Sequence, residues 1–245
     1  MNLKNIIGVL LLGGVSFGES PVRVACVGDS ITFGARIENR ENKSYPAQLG
    51  QMLGDGYVVE NFGVNGATLL KKGNKPYWKT KQFGPAHTFN PDLVIIKLGT
   101  NDSKPDNWKH KNEYVADYRA LIESFRALPG KPVVYICYPV PVYPGGKKIA
   151  DKVVREGVIP QIDEVARQTH VEIIDLYAAL SNKADLFPDT IHPNAEGARI
   201  MAEIIINSCF KRKILPAKIQ LKSAYTHPLD CGSPSDQPPM AGSRK

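Results

Sequence analysis

Four short stretches hold the residue types that acyl transfer requires: Gly28-Asp29-Ser30-Ile31, Asn65-Gly66, Gly99-Thr100-Asn101-Asp102 and Asp189-Thr190-Ile191-His192-Pro193. They supply a hydroxyl, a turn glycine, a side-chain amide and an Asp-x-x-His pair. A hydroxyl attacks an ester carbonyl efficiently when a base takes its proton and preorganised donors receive the oxyanion. The Asp189–His192 spacing lets the carboxylate reach one imidazole nitrogen while the other faces a serine. The carboxylate then sets the tautomer. The imidazole takes the Ser30 proton and returns it to the leaving alcohol.

Three of the stretches also have a plain structural reading. Ser30 is equally an N-cap after a strand, and Asn101 an Asx turn closing one. Asn65-Gly66 is a turn that needs a residue tolerant of positive φ. His87, His110 and His170 read as solvent-facing, and His227 lies near the chain end. Gly14-Val15-Ser16-Phe17-Gly18 matches a nucleophile elbow, but no strand precedes it and no helix follows. Asn42-Lys43-Ser44 matches a glycosylation acceptor, which matters only in a eukaryotic secretory host. No Gly-x-Gly-x-x-Gly or Gly-Lys-Ser/Thr loop follows the first strand, so nucleotide binding is disfavoured. No Cys-x-x-Cys or His-x-x-x-His spacing is present, and neither a metal nor an organic cofactor is expected.

These residues need a scaffold that gathers loops. Apolar, β-branched runs at 22–27, 57–62, 92–98, 133–137 and 171–175 suit strands covered on both faces. Between them, 112–128, 151–169 and 195–210 carry apolar residues at helical spacing, with Pro160 expected to kink or split the second. Repeated strand–helix alternation predicts an α/β fold: a three-layer α/β/α sandwich around a doubly wound five-stranded parallel sheet. Right-handed crossovers then bring every site loop to the carboxyl edge of the sheet.

The chain has 245 residues, 42% of them hydrophobic, and a net charge of +7 from 31 basic and 24 acidic side chains. Residues 1–18 read as an export signal. Lys4 precedes an apolar run at 6–15, and Ser16-Phe17-Gly18 offers small residues for cleavage. That run is too short to cross a bilayer of ~30 Å. A secreted or periplasmic location is expected, with no stable membrane insertion. The hydrolytic domain is assigned to 19–210. Residues 211–245 form a basic, Pro/Ser-rich extension expected to be disordered. A charge cluster of that kind is poor evidence for nucleic acid, and no nucleic-acid partner is expected. Cys26 and Cys137 read as buried strand thiols, while a Cys209–Cys231 pairing stays open.

With the four blocks in this order, the chain resembles the SGNH (GDSL-type) hydrolases from about Val22 to Phe210. The resemblance implies Ser30 as nucleophile, with His192 and Asp189 completing the triad. It implies oxyanion donors from Ser30 N–H, Gly66 N–H and the Asn101 side chain, and a flavodoxin-like strand order 2-1-3-4-5. Ile31 replaces the Leu of the eponymous motif, a swap outside the chemistry. The overall texture resembles secreted bacterial carbohydrate O-acetylesterases, including those labelled sialate O-acetylesterase.

This resemblance implies a serine esterase acting on short-chain, chiefly acetyl, esters of a small molecule or oligosaccharide. A lysophospholipase or thioesterase on the same machinery, and a non-catalytic saccharide-binding protein, are the alternatives. Asp29, Trp78 and Trp108 are candidate substrate contacts. Lys71, Lys72, Lys75, Lys79 and Lys81 follow Gly66, while Lys104, Lys109 and Lys111 follow Asn101. If these lysines rim the cleft, an anionic sugar is favoured. The segment 139–144, rich in proline, is a candidate wall for an acyl pocket.

Overall fold

Strands without inside–outside alternation must be buried on both faces, and this requirement sets the architecture. The computed structural model describes residues 20–145 and 148–210. The expected export signal, the Gly14–Gly18 match and the extension with His227 and Cys231 lie outside the described residues. Five strands, β1 (Val22–Gly28), β2 (Tyr57–Gly63), β3 (Leu93–Lys97), β4 (Val133–Cys137) and β5 (Glu172–Ile174), form one sheet ordered β2-β1-β3-β4-β5. Every pairing is parallel. The predicted fold class and strand order are both found.

Successive residues along the central strands feed opposite layers. Val24, Cys26, Leu93 and Ile95 pack with Leu49, Met201 and Ile205, from the helices Tyr45–Leu53 and Ala195–Cys209. Ala25, Val27, Val94 and Ile96 pack instead with Tyr118, Phe125 and Ile162, from the helices Tyr114–Arg126 and Ile159–Thr169. Full burial of one such aliphatic or aromatic side chain contributes about 1.5–3 kcal/mol. Cys209 is also fully buried in the first layer.

Pro160 acts as expected. Lacking an N–H and crowding the carbonyl four residues back, it cannot continue a regular helix. The tract therefore runs as a π-helical segment, Val154–Val158, before α-helix resumes at Ile159 with proline in its first turn.

Because all strands run the same way, the loops after Gly28, Gly63, Lys97, Cys137 and Ile174 leave from one edge. The chain crosses from β1 to β2 on one side and reaches β3 on the other. Between β1 and β3, where the strand order reverses, lies the crevice where open α/β sheets place their ligands.

Candidate active site

Ser30 begins a one-turn helix, Ser30–Phe33, directly after β1. Asp29, rather than the serine, is the N-cap, accepting the Ile31 N–H at 2.9 Å. The turn is tight: a Cβ on Gly28 would stand 2.1 Å from Thr32 Oγ1 and 2.6 Å from the Lys97 carbonyl. The Ser30 N–H, at the first helical position, has no acceptor within its helix.

His192 arrives from the segment after β5. Its Nε2 lies 2.8 Å from Ser30 Oγ, and its Nδ1 lies 2.7 Å from Asp189 Oδ2. The turn that makes this possible is strained, since Thr190 sits at φ 70°. A β-branched residue in that region costs about 1–3 kcal/mol. Anchors on both sides hold it: Thr190 N–H donates to Phe187 O at 2.9 Å, and its carbonyl accepts from Tyr143 N–H at 2.8 Å. Asp189 Oδ1 also accepts from the Ile191 and His192 N–H groups. Partial burial pushes its pKa up, but those bonds and the imidazole outweigh it and hold the carboxyl below its ordinary value. Arg36 Nε lies 3.4 Å from the same carboxylate.

The other two blocks face the hydroxyl across the switch point. Gly66 adopts φ 77°, in the left-handed region that favours glycine. Asn101 is buried. Its Nδ2 donates to Ala67 O at 3.1 Å, and its Oδ1 accepts from Lys104 Nζ at 2.8 Å. This arrangement fixes the amide and leaves its second N–H for another acceptor. Ser30, Gly66, Asn101, Lys104, Ile149 and His192 line a common pocket of about 450 Å³. All five residues read as triad members or oxyanion donors therefore share one locale.

Two buried carboxylates hold the loops, Asp29 and Asp102. Asp29 and Lys97, both fully buried, form an ion pair, with Lys97 Nζ 3.1 Å from each oxygen and 2.8 Å from Thr100 Oγ1. Burial pulls the Lys97 pKa down, against the pull of Asp29. A lysine inside an apolar strand run was the available signal for such a partner. Asp102 reaches across from the β3 loop to the β2 loop, accepting Leu69 N–H at 3.0 Å and Leu70 N–H at 2.8 Å. Asn107, buried without any sequence signal, donates to Asn101 O at 2.8 Å and accepts Asn74 N–H at 2.8 Å.

Burial pushes the Asp102 pKa up from 3.8 to about 6, only partly opposed by its backbone donors. Asp102→Ala is expected to cost about 1–3 kcal/mol for each N–H left unpaired. Because the folded pKa lies above the unfolded one, the native state binds more protons here between those values. Wild-type stability from this group therefore falls as pH rises through that window. The penalty of the substitution should be largest in acid and shrink toward neutral pH. Urea unfolding of both proteins at pH 4 and pH 7.5 checks the sign.

Three expected substrate contacts are corrected. Asp29 is fully buried beneath the nucleophile turn, committed to Lys97 and the helix end. Trp78 packs against Phe83 with Lys71 Nζ 4.3 Å from its ring centroid, so it covers core rather than pocket. Trp108 packs on Tyr114 and over Gly157, beside a separate depression.

The lysine rim contracts as well. Lys71 pairs with Asp117 and Lys72 with Glu113, while Lys75 Nζ donates to Asn65 O. Of the expected lysines only Lys104 lines the pocket, joined by Lys148. His87 is not solvent-facing: its ring stacks on Phe125 and bonds Phe83 O and Ser124 Oγ. The proline-rich segment walls a neighbouring cleft rather than the Ser30 pocket. Among the described residues, no three His, Cys, Asp or Glu side chains group as metal ligands would.

The model of the GDSL-like lipase/acylhydrolase family matches residues 26–200. An acetylxylan esterase of Xylanibacter ruminicola is 43% identical over an alignment of 205 residues, covering 76% of this chain and 43% of that protein. The chain thus spans less than half the length of this curated relative. A carbohydrate acetylesterase family member from Sinorhizobium meliloti superposes with TM-score 0.63 at 22% identity, covering 75% of this chain and 95% of its own. An aryl esterase of M. smegmatis gives TM-score 0.61 at 20% identity, covering 76% and 99%. At those identities, the two structures speak for the fold alone.

Proposed function

This chain belongs to the GDSL-like lipase/acylhydrolase family, and on that premise we propose that it is a serine esterase removing short acyl groups, chiefly acetyl, from carbohydrate. The observation that carries the reading is the unbroken line from Ser30 Oγ through His192 to Asp189, opening into a pocket shared with Gly66 and Asn101. With Asp189 accepting at Nδ1, the neutral imidazole presents its Nε2 lone pair to the hydroxyl. As Oγ attacks the carbonyl, Nε2 takes its proton. The oxyanion meets the Ser30 and Gly66 N–H groups and the free Asn101 N–H. Nε2 then protonates the departing sugar hydroxyl, and the acyl group remains on Ser30. Water attacks the acyl-enzyme with His192 again as base, releasing the acid and restoring the serine.

Ala35, Ile149 and Ile191 supply apolar surface beside the polar donors, on which an acyl methyl can pack. The sugar, and xylan in particular, is supported by the name of the 43% identical relative. Hydrolysis of 4-nitrophenyl acetate, butyrate and octanoate, with acetate release from acetylated xylan, tests the reading. We expect kcat/KM to fall by at least about tenfold from acetate to octanoate, a few methylenes being enough for that discrimination. A rise toward octanoate would mark a lysophospholipase or thioesterase instead. No turnover of any ester would leave a saccharide-binding protein.

A further inference from the structure

The pocket over Ser30 has a larger neighbour. A cleft of about 850 Å³ lies beside it, lined by Tyr143, Pro144, Asp151, Arg155, Tyr177 and Asn182. The two cavities share Ile149, which lines both. Ile191, beside His192 and lining the Ser30 pocket, packs against the cluster of Val142, Ile149 and Val154. A ridge of isoleucine thus separates two adjoining hollows. The cleft wall is tied to the triad turn, because Tyr143 N–H donates to the carbonyl of Thr190, next to Asp189.

Two aromatic side chains of the cleft are held rigidly by their hydroxyls. Tyr143 OH donates to Leu180 O at 2.6 Å and accepts Lys183 N–H at 2.8 Å. Tyr177 OH donates to Asp151 Oδ2 at 2.7 Å, and Asp151 Oδ1 accepts Val142 N–H at 3.0 Å. With the phenol groups committed, the partly exposed rings offer apolar surface, while Arg155 and Asn182 supply exposed polar groups. Fixed ring surface with polar groups at its margin is the chemistry that receives a sugar ring, apolar on its C–H face and hydroxylated at its edge. An acyl group needs none of it.

We propose that this cleft is a saccharide subsite. It holds the sugar units next to the acylated one, so that an oligosaccharide lies across the Ile149 ridge with its ester over Ser30. The inference rests on the proposed carbohydrate esterase function and adds where the carbohydrate binds. Contacts remote from the reacting bond then increase kcat/KM with chain length.

The experiment compares 4-nitrophenyl acetate, acetylated methyl β-xyloside and acetylated xylotetraose on the wild-type chain, Tyr177→Ala and Ala150→Trp. Ala150 is exposed in the cleft, so its variant fills the space without removing the Asp151 contacts. We expect wild type to prefer the tetramer over the single ring by about tenfold or more. Both variants should lose that preference while keeping 4-nitrophenyl acetate turnover within about twofold, because neither Tyr177 nor Ala150 lines the Ser30 pocket and the small ester does not reach the cleft. No preference in wild type, or its survival in both variants, overturns the subsite. Failure of the wild-type chain to cleave even 4-nitrophenyl acetate would instead remove the esterase function, and the subsite with it.

Discussion

Replacing Ser30 by alanine is expected to lower the turnover of an acetyl ester by on the order of 10⁵–10⁶, the scale on which a serine nucleophile's loss disables a triad. The hydroxyl is hydrogen-bonded to His192 Nε2 at 2.8 Å, and the other hydroxyl among the described residues lining the pocket, that of Thr100, is engaged by Lys97. Folding should be nearly untouched. Asp29, not Ser30, caps the short helix, and alanine is a good helix former at its first position. The change in stability should stay within about 0.5 kcal/mol. A stopped acetate-release assay on enzyme of matched thermal midpoint checks both halves. Wild-type-like turnover in the variant would remove Ser30 from the mechanism.

The second large effect is at the oxyanion. Asn101→Ala is expected to cost about 10²–10³ in kcat, corresponding to ~2.7–4 kcal/mol for one lost donor. The contacts of the amide add a cost in stability. Its removal strands Lys104 Nζ and the Ala67 carbonyl, a loss of about 1–3 kcal/mol in stability for a buried group left unpaired. A companion variant separates the two consequences. Lys104→Met keeps the Asn101 donor and removes only the ammonium that orients it, so kcat should fall by about tenfold, ~1.4 kcal/mol, with KM nearly constant. Lys104→Arg should recover part of the loss. Partial burial lowers the Lys104 pKa, so the wild-type enzyme should lose this increment in alkali earlier than an ordinary lysine would. That alkaline limb should vanish in Lys104→Met. Equal falls in kcat at every pH for the two lysine variants would deny Lys104 the positioning role.

The elements and the chemistry were legible to different depths. The strands at 22–28 and 93–97 were plain because a chain buried on both faces must be apolar throughout, whatever surrounds it. Pro160 announced its break through its own missing N–H. Ser30, Gly66 and Asn101 stood out because each closely follows a strand end, and Asp189 and His192 because of their Asp-x-x-His spacing. The substrate contacts did not follow the same logic. Trp78 and Trp108 lie on loops leaving the correct edge, yet both turn inward to cover Phe83 and Tyr114. A loop's side-chain direction depends on what packs beneath it, and no local spacing encodes that.

The order and types of residues along this chain were enough to determine a parallel α/β sheet and the stock of reactive groups along its carboxyl edge. Both follow from local requirements: burial on two faces, a turn after each strand, a carboxylate three residues before an imidazole. Tertiary structure alone decided that Asp29 serves Lys97, that Asp102 ties one loop to another, and that Lys104 faces the amide. It alone made Ile149 a ridge between two cavities. Those assignments join residues far apart in sequence, and only packing settles which of many chemically suitable partners meet.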